Sequence, residues 1–360
     1  MVVGRLWTAL GPGILLAAAS IGASHLVFSP QAGAAYGYQL LWLVVVSHLF
    51  KYPAFEFGPR YAAATGNHLL DGYARVPGPK NWALIVFLLG TLVQGIGVLA
   101  AVVGIAGSVL STWTDWLGMA PMSLILIVVV VYLLLAGGFR WLDHLNKIMM
   151  ATLACATALA FVSIIPEISA VEAGRHLMVP TLPAGSIVLV AAILSWMPTG
   201  IDVSVWHSFW TIEKMTTLAE ADSGASRPSA SERLKTALLD MRVGYALSLC
   251  TGLMFVIMGA VHLTGQGGDL KGIKFAEALS TAYTAYFGRW MYHVFMLTAF
   301  FAMFSTAYTV IDGFSRSFAE CCATLRTGVS THESRQRLYR VLSSAHRCWQ
   351  VSFSSLWRIL

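Results

Sequence analysis

Leu194-Ser195-Trp196-Met197-Pro198-Thr199-Gly200-Ile201-Asp202 lies in the middle of a largely apolar run over residues 186–210. A helix needs about 20 such residues to cross the hydrocarbon of a bilayer. Lipid offers no hydrogen bonds, so freed backbone groups persist there only where buried protein, water or a bound ion satisfies them. Pro198 nevertheless removes a donor and disfavours helical geometry at Met197, and Gly200 permits a tight bend. The stretch therefore predicts a helix that unwinds at mid-membrane, which is a binding-site geometry.

A second interruption, Gly22-Ala23-Ser24-His25, falls in the first apolar run, residues 8–28. Further runs at 38–58, 83–111, 121–138, 147–165, 243–263 and 290–312 bring the expected spans to eight. The two interruptions are five spans apart, so one helix runs outward where the other runs inward, as in inverted-topology repeats that each open with a discontinuous helix. The predicted fold is an all-α membrane protein of about eight transmembrane helices. Residues 1–185 are expected to form a first five-helix repeat. Residues 186–312 would form part of a second, with a flexible cytoplasmic loop at 211–240, and 313–360 a basic cytoplasmic tail. Two full repeats need ten spans. The tail's longest late uncharged stretch, Cys348 to Trp357, is too short to cross a bilayer, so the second repeat is expected to be incomplete.

Composition agrees with a lipid solvent. Mean hydropathy is +0.70, and 57% hydrophobic against 11% charged residues leaves too little polar surface to cover a water-soluble globule. With the N-terminus in the cytoplasm, all Lys and Arg except Arg175, Lys271, Lys274 and Arg289 fall in inside segments, as the positive-inside rule requires. The net charge of +6 thus reads as topology. It implies a lipid bilayer as partner and no nucleic acid, and leaves the oligomeric state open. Trp7, Trp42, Trp82, Trp116, Trp141 and Trp290 stand at span ends as interfacial anchors. The five cysteines show neither a C-x-x-C pair nor a disulfide framework. No paired carboxylates, H-E-x-x-H or serine-nucleophile pattern appears, so neither an enzyme nor a resident cofactor is expected.

Several motifs resemble the Nramp family of proton-coupled divalent-metal transporters, whose fold is the LeuT type. Gly11-Pro12-Gly13, Gly33, Tyr36-Gly37-Tyr38 and Leu40-Leu41-Trp42 are similar to its first span and the run into the second. Arg60 to Gly66 is similar to the end of the second span, Met197-Pro198 to the sixth-span motif, and Tyr308 to Phe314 to the close of the eighth. The departures are specific. Gly22-Ala23-Ser24-His25 stands where the family has Asp-Pro-Gly-Asn, Thr199 replaces the histidine of Met-Pro-His, and Gln94 stands where acidic residues of a proton route are expected.

The resemblance implies a site at the paired breaks. His25, Met197 and Asp202 are the expected metal ligands: an imidazole, a thioether and a carboxylate suited to a borderline transition metal. Gly22, Ala23, Ser24, Leu194 and Thr199 would supply backbone or secondary contacts. Lys51, Glu56 and Gln94 would serve as a proton route or gate, although Lys51 and Glu56 also read as a pair at the inner interface. The implied function is secondary transport of a divalent metal ion, the ion being substrate, by proton symport across a bacterial inner membrane. A small organic solute or other cation on the same fold, and a truncated non-transporting membrane protein, are the alternatives.

Overall fold

The computed structural model describes residues 10–221, 228–264 and 287–327 together with Ser280 and Thr284, and every secondary-structure element among them is helical. Arg5, Trp7, Lys271, Lys274 and the stretch from Cys348 to Trp357 lie outside the described residues.

Helix α1 (Pro12–Ser20) starts on a proline, whose missing N–H is harmless in a first turn. After the break the chain re-forms as a π-turn (Ser24–Phe28) that continues into α2 (Ser29–Tyr36), bent by 46° from α1. The first span therefore runs beyond its expected end at residue 28. The wide π-turn shifts the hydrogen-bond register just ahead of Pro30, which a regular ladder would not accommodate. Gly37, at φ +58°, stops it.

Helix α3 (Leu41–Thr65) is followed by a short α4 (Leu69–Tyr73) and then α5 (Trp82–Thr114). Helix α6 (Met119–Ile164) contains the runs expected at 121–138 and 147–165, joined at Gly138 (φ 53°, ψ −147°) with no loop between them. A short α7 (Ala170–Met178) leads to α8 (Ile187–Trp196), α9 (Val203–Ala221), α10 (Ala230–His262) and α11 (Met291–Thr327). The eight expected passes correspond to α1 with α2, α3, α5, the two parts of α6, α8 with α9, α10, and α11.

Two expected boundaries move. The segment 211–240 is mostly helix, because α9 reaches Ala221 and α10 starts at Ala230. A capping box starts α10: Ser229 Oγ accepts from Glu232 N at 3.2 Å, and Glu232 Oε2 accepts from Ser229 N at 2.7 Å. Helix α11 likewise continues past Asp312 to Thr327. Arg316 carries it onward by binding Asp312 Oδ1 one turn back and Glu213 Oε1 on α9, each at 2.8 Å.

Burial sorts the helices into layers. The most apolar windows of α5 and α6 are 11% and 17% buried, against 56% and 72% for α10 and α11, so α5 and α6 are peripheral while α10 and α11 hold the centre. Against that centre α1 is almost wholly buried. Its approach to α10 is backbone on backbone. A Cβ on Gly13 would strike the Asp240 carbonyl, and one on Gly244 would strike the Gly13 carbonyl. Gly33 and Gly259 repeat the arrangement where α2 crosses the Val256 and Pro30 carbonyls. Small residues that let helix backbones touch are the usual device where lipid removes the hydrophobic drive between helices.

Polar groups close one end of this seam. Asp240 of α10 accepts from Gly11 N at 3.0 Å and Gly13 N at 2.8 Å, satisfying orphan donors at the α1 N-terminus. Nearby, Asp143 Oδ2 of α6 accepts from Lys147 at 2.9 Å and from Lys214 of α9 at 3.0 Å, with all three side chains largely buried.

Candidate functional site

The two interrupted helices meet around a cavity of about 190 Å³. Ser20, Gly22, Ala23 and Ser24 line it from the first break, and Trp196, Thr199, Gly200 and Asp202 from the sixth-span break. Gln94 and Gly97 of α5 and Thr306 and Phe314 of α11 close the remaining sides.

Asp202 stands immediately before α9, where its carboxylate accepts from its own N–H, from that of Val203 and from the Gln94 side chain. Free N–H groups and the positive end of a helix dipole stabilise an anion there. It is the ionisable side chain among the residues lining the cavity. Gln94, expected on a proton route, is instead the carboxylate's neutral partner. Across the cavity Ser24 Oγ donates to Ser20 O at 3.0 Å, keeping one freed carbonyl of α1 occupied. Thr306 Oγ1 reaches another, Ala18 O, at 2.7 Å. Gly22 makes that approach feasible, since a Cβ there would lie 2.8 Å from Thr306 Oγ1. Sequence reasoning missed Thr306; its signal was a hydroxyl pair, Ser305-Thr306, inside an otherwise apolar helix.

The three expected metal ligands fall into two groups. Asp202 faces the cavity, whereas His25 and Met197 are fully buried on the far side of the break. His25 Nδ1 lies 2.9 Å from Ser24 Oγ, and its Nε2 lies 3.0 Å from Ser248 O and 3.1 Å from Ser248 Oγ. The same hydroxyl is 3.2 Å from His48 Nε2, and His48 Nδ1 is 2.8 Å from Val44 O. Met197 packs beside His25 at Gly252, its sulfur accepting from Ser29 Oγ at 3.7 Å. Among the described residues no three His, Cys, Asp or Glu side chains converge as a metal-binding group. Of the expected secondary contacts, Gly22, Ala23, Ser24 and Thr199 line the cavity, while the Leu194 side chain is exposed on the outer face of α8.

Lys51 and Glu56 do not pair. Five residues apart on α3, they project from different faces, unlike neighbours at four, and Glu56 pairs with Arg60. Lys51 lies about 15 Å along the helix from Leu41 at 1.5 Å per residue, near the middle of α3 rather than at its end. Its ammonium donates to Ser195 O at 2.7 Å and Thr199 O at 3.1 Å, the carbonyls flanking the sixth-span break.

Residues 13–315 match the model of the natural resistance-associated macrophage protein-like family. An uncharacterized protein of Pasteurella multocida is 32% identical over 335 residues, which are 91% of this chain and 73% of that protein. The divalent metal cation transporter MntH of Yersinia enterocolitica is 26% identical; the match covers 72% of this chain and 60% of MntH. Among solved structures, a variant of the Eremococcus coleocola manganese transporter has the same fold, with a TM-score of 0.67 at 17% identity over 89% of this chain and 69% of that one.

Proposed function

Because the chain belongs to the natural resistance-associated macrophage protein family, we propose that it carries a divalent metal ion across a membrane through the cavity between its two broken helices. The observation that supports this reading is the position of Asp202, an ionisable side chain facing a cavity formed by both breaks. Its carboxylate would bind the ion, with the Gln94 amide oxygen and the Thr199 and Ser24 hydroxyls as neutral neighbours. At about 30 Å³ per water, a cavity of 190 Å³ has room for on the order of six waters. An ion there keeps part of its hydration shell, so the site works with few protein ligands. When the ion leaves, Asp202 is the group placed to take a proton in its stead, which is the form of proton coupling we propose. The N-terminus is cytoplasmic on this reading, in the inner membrane of a bacterium, from the distribution of Lys and Arg.

A specific observation favours a second reading. Phe28, Trp196, Trp206 and Phe314 also line the cavity, and aromatic walls with a few placed polar groups suit a small organic solute. The two readings separate in proteoliposomes of the full chain loaded with a metal-quenched fluorophore. Saturable manganese uptake that falls about tenfold or more in Asp202→Asn, the scale of one lost charged contact of about 1.4 kcal/mol or more, supports metal transport. Uptake unchanged by that substitution removes Asp202 from the site, and no metal uptake alongside solute uptake transfers the assignment to the second reading.

A further inference from the structure

The final carbonyls of a helix have no intrahelical donor and carry the negative end of its dipole. Helix α8 ends in the membrane at Trp196, and two carbonyls beside its end, those of Ser195 and Thr199, converge on a single point. Lys51 Nζ occupies that point, at 2.7 and 3.1 Å. A lysine at mid-membrane ordinarily snorkels its charge toward water. This one turns inward, spending two of its three donors on backbone oxygens, with the Asp202 carboxylate in electrostatic reach. Converging carbonyls at such distances, with a carboxylate nearby, are the surroundings that a free hard cation or an ammonium ion selects. The point adjoins the cargo cavity, because Thr199 contributes to both.

We propose that Lys51 is a tethered cation that permanently fills a second cation site at the C-terminal end of α8. Its ammonium neutralises the freed carbonyls that would otherwise recruit a free monovalent cation, so the chain carries its cargo without an alkali cation as co-substrate. The same fixed charge repels the cargo ion, making Lys51 a determinant of metal affinity. Only the identity of the cargo rests on the function proposed above; occupancy of the α8 site is tested separately.

The test is thermal unfolding of the purified full chain in detergent at constant ionic strength, titrated with propylammonium or sodium chloride against choline chloride. In Lys51→Ala or Lys51→Met, propylammonium or sodium is expected to raise Tm saturably by about 4 °C or more, while the wild type and Lys51→Arg respond to neither. The neutral variants are also expected to bind manganese about tenfold more tightly than the wild type, the scale of one unit charge removed at close range. Adding Asp202→Asn to Lys51→Ala would abolish manganese binding and leave the propylammonium response, so loss of metal binding alone indicts the cargo reading and not this one. A neutral variant recovered in folded form only in the presence of propylammonium supports the proposal equally. Failure of both cations to stabilise or recover either neutral variant overturns it.

Discussion

Gly244→Ala adds a single methyl group and should be one of the most damaging small changes available to this chain. The new Cβ would fall on the Gly13 carbonyl group, with Gly13 Cα 3.1 Å away. Backbone atoms cannot rotate aside, so α1 and α10 must part by upwards of 1 Å to reach the ordinary 3.5–4.0 Å contact. That shift stretches the two bonds by which Asp240 holds Gly11 N at 3.0 Å and Gly13 N at 2.8 Å past useful length. Hydrogen bonds to a charged group contribute about 1.5–3 kcal/mol each, and overpacking costs about 1–3 kcal/mol. Against this stands a helix-propensity gain of about 1 kcal/mol for replacing glycine by alanine. The net expectation is a loss of about 3–6 kcal/mol, measured by denaturant unfolding in mild detergent. Gly90→Ala is the internal control, since a Cβ there meets nothing within 4 Å and should leave stability unchanged or slightly higher. If Gly244→Ala unfolds within 1 kcal/mol of Gly90→Ala, about the size of the propensity term alone, the backbone seam is not what holds α1 in place.

Two further substitutions probe the groups around the site. His25→Ala should destabilise the fold by about 1–3 kcal/mol through unsatisfied buried partners, yet change manganese affinity less than about twofold, well under the 1.4 kcal/mol of a tenfold effect, because His25 lies behind the cavity wall; calorimetric titration of the folded variant checks this. Asp143→Asn leaves Lys147 and Lys214 buried without their shared carboxylate and should cost about 3–5 kcal/mol. Adding Lys147→Met should return part of that loss, a non-additivity readable in the same unfolding assay.

Both breaks were legible in the sequence for one reason: Gly22 to His25 and Pro198 to Gly200 place poor helix formers and polar groups where lipid demands a closed hydrogen-bond ladder. The spans were legible because hydrocarbon thickness sets their length. What the sequence did not disclose was rotation about the helix axis. His25 and Asp202 looked alike as ionisable groups beside a break, but which faces the cavity depends on the π-turn that swings His25 toward Ser248 and on the approach of Gln94 from α5. Lys51 was misread for a related reason, since its partners are carbonyls far along the chain and backbone acceptors leave no mark in residue type. The extent of helix in 211–240 was hidden because helices that project from the bilayer turn polar while keeping their geometry. Only the capping box from Ser229 to Glu232 signalled the restart.

The joint at Gly138 carries a constraint of another kind. A loop between two spans acts as slack, absorbing a gained or lost residue without changing the phase of the helix that follows. Here the second part of α6 begins where the first ends, so the two are threaded like one screw. A single residue inserted at the joint would rotate everything beyond it by about 100° and advance it by about 1.5 Å, swinging Asp143 and Lys147 away from Lys214 on α9. Residue identity near Gly138 is therefore negotiable wherever a positive φ is not required, whereas the residue count is not.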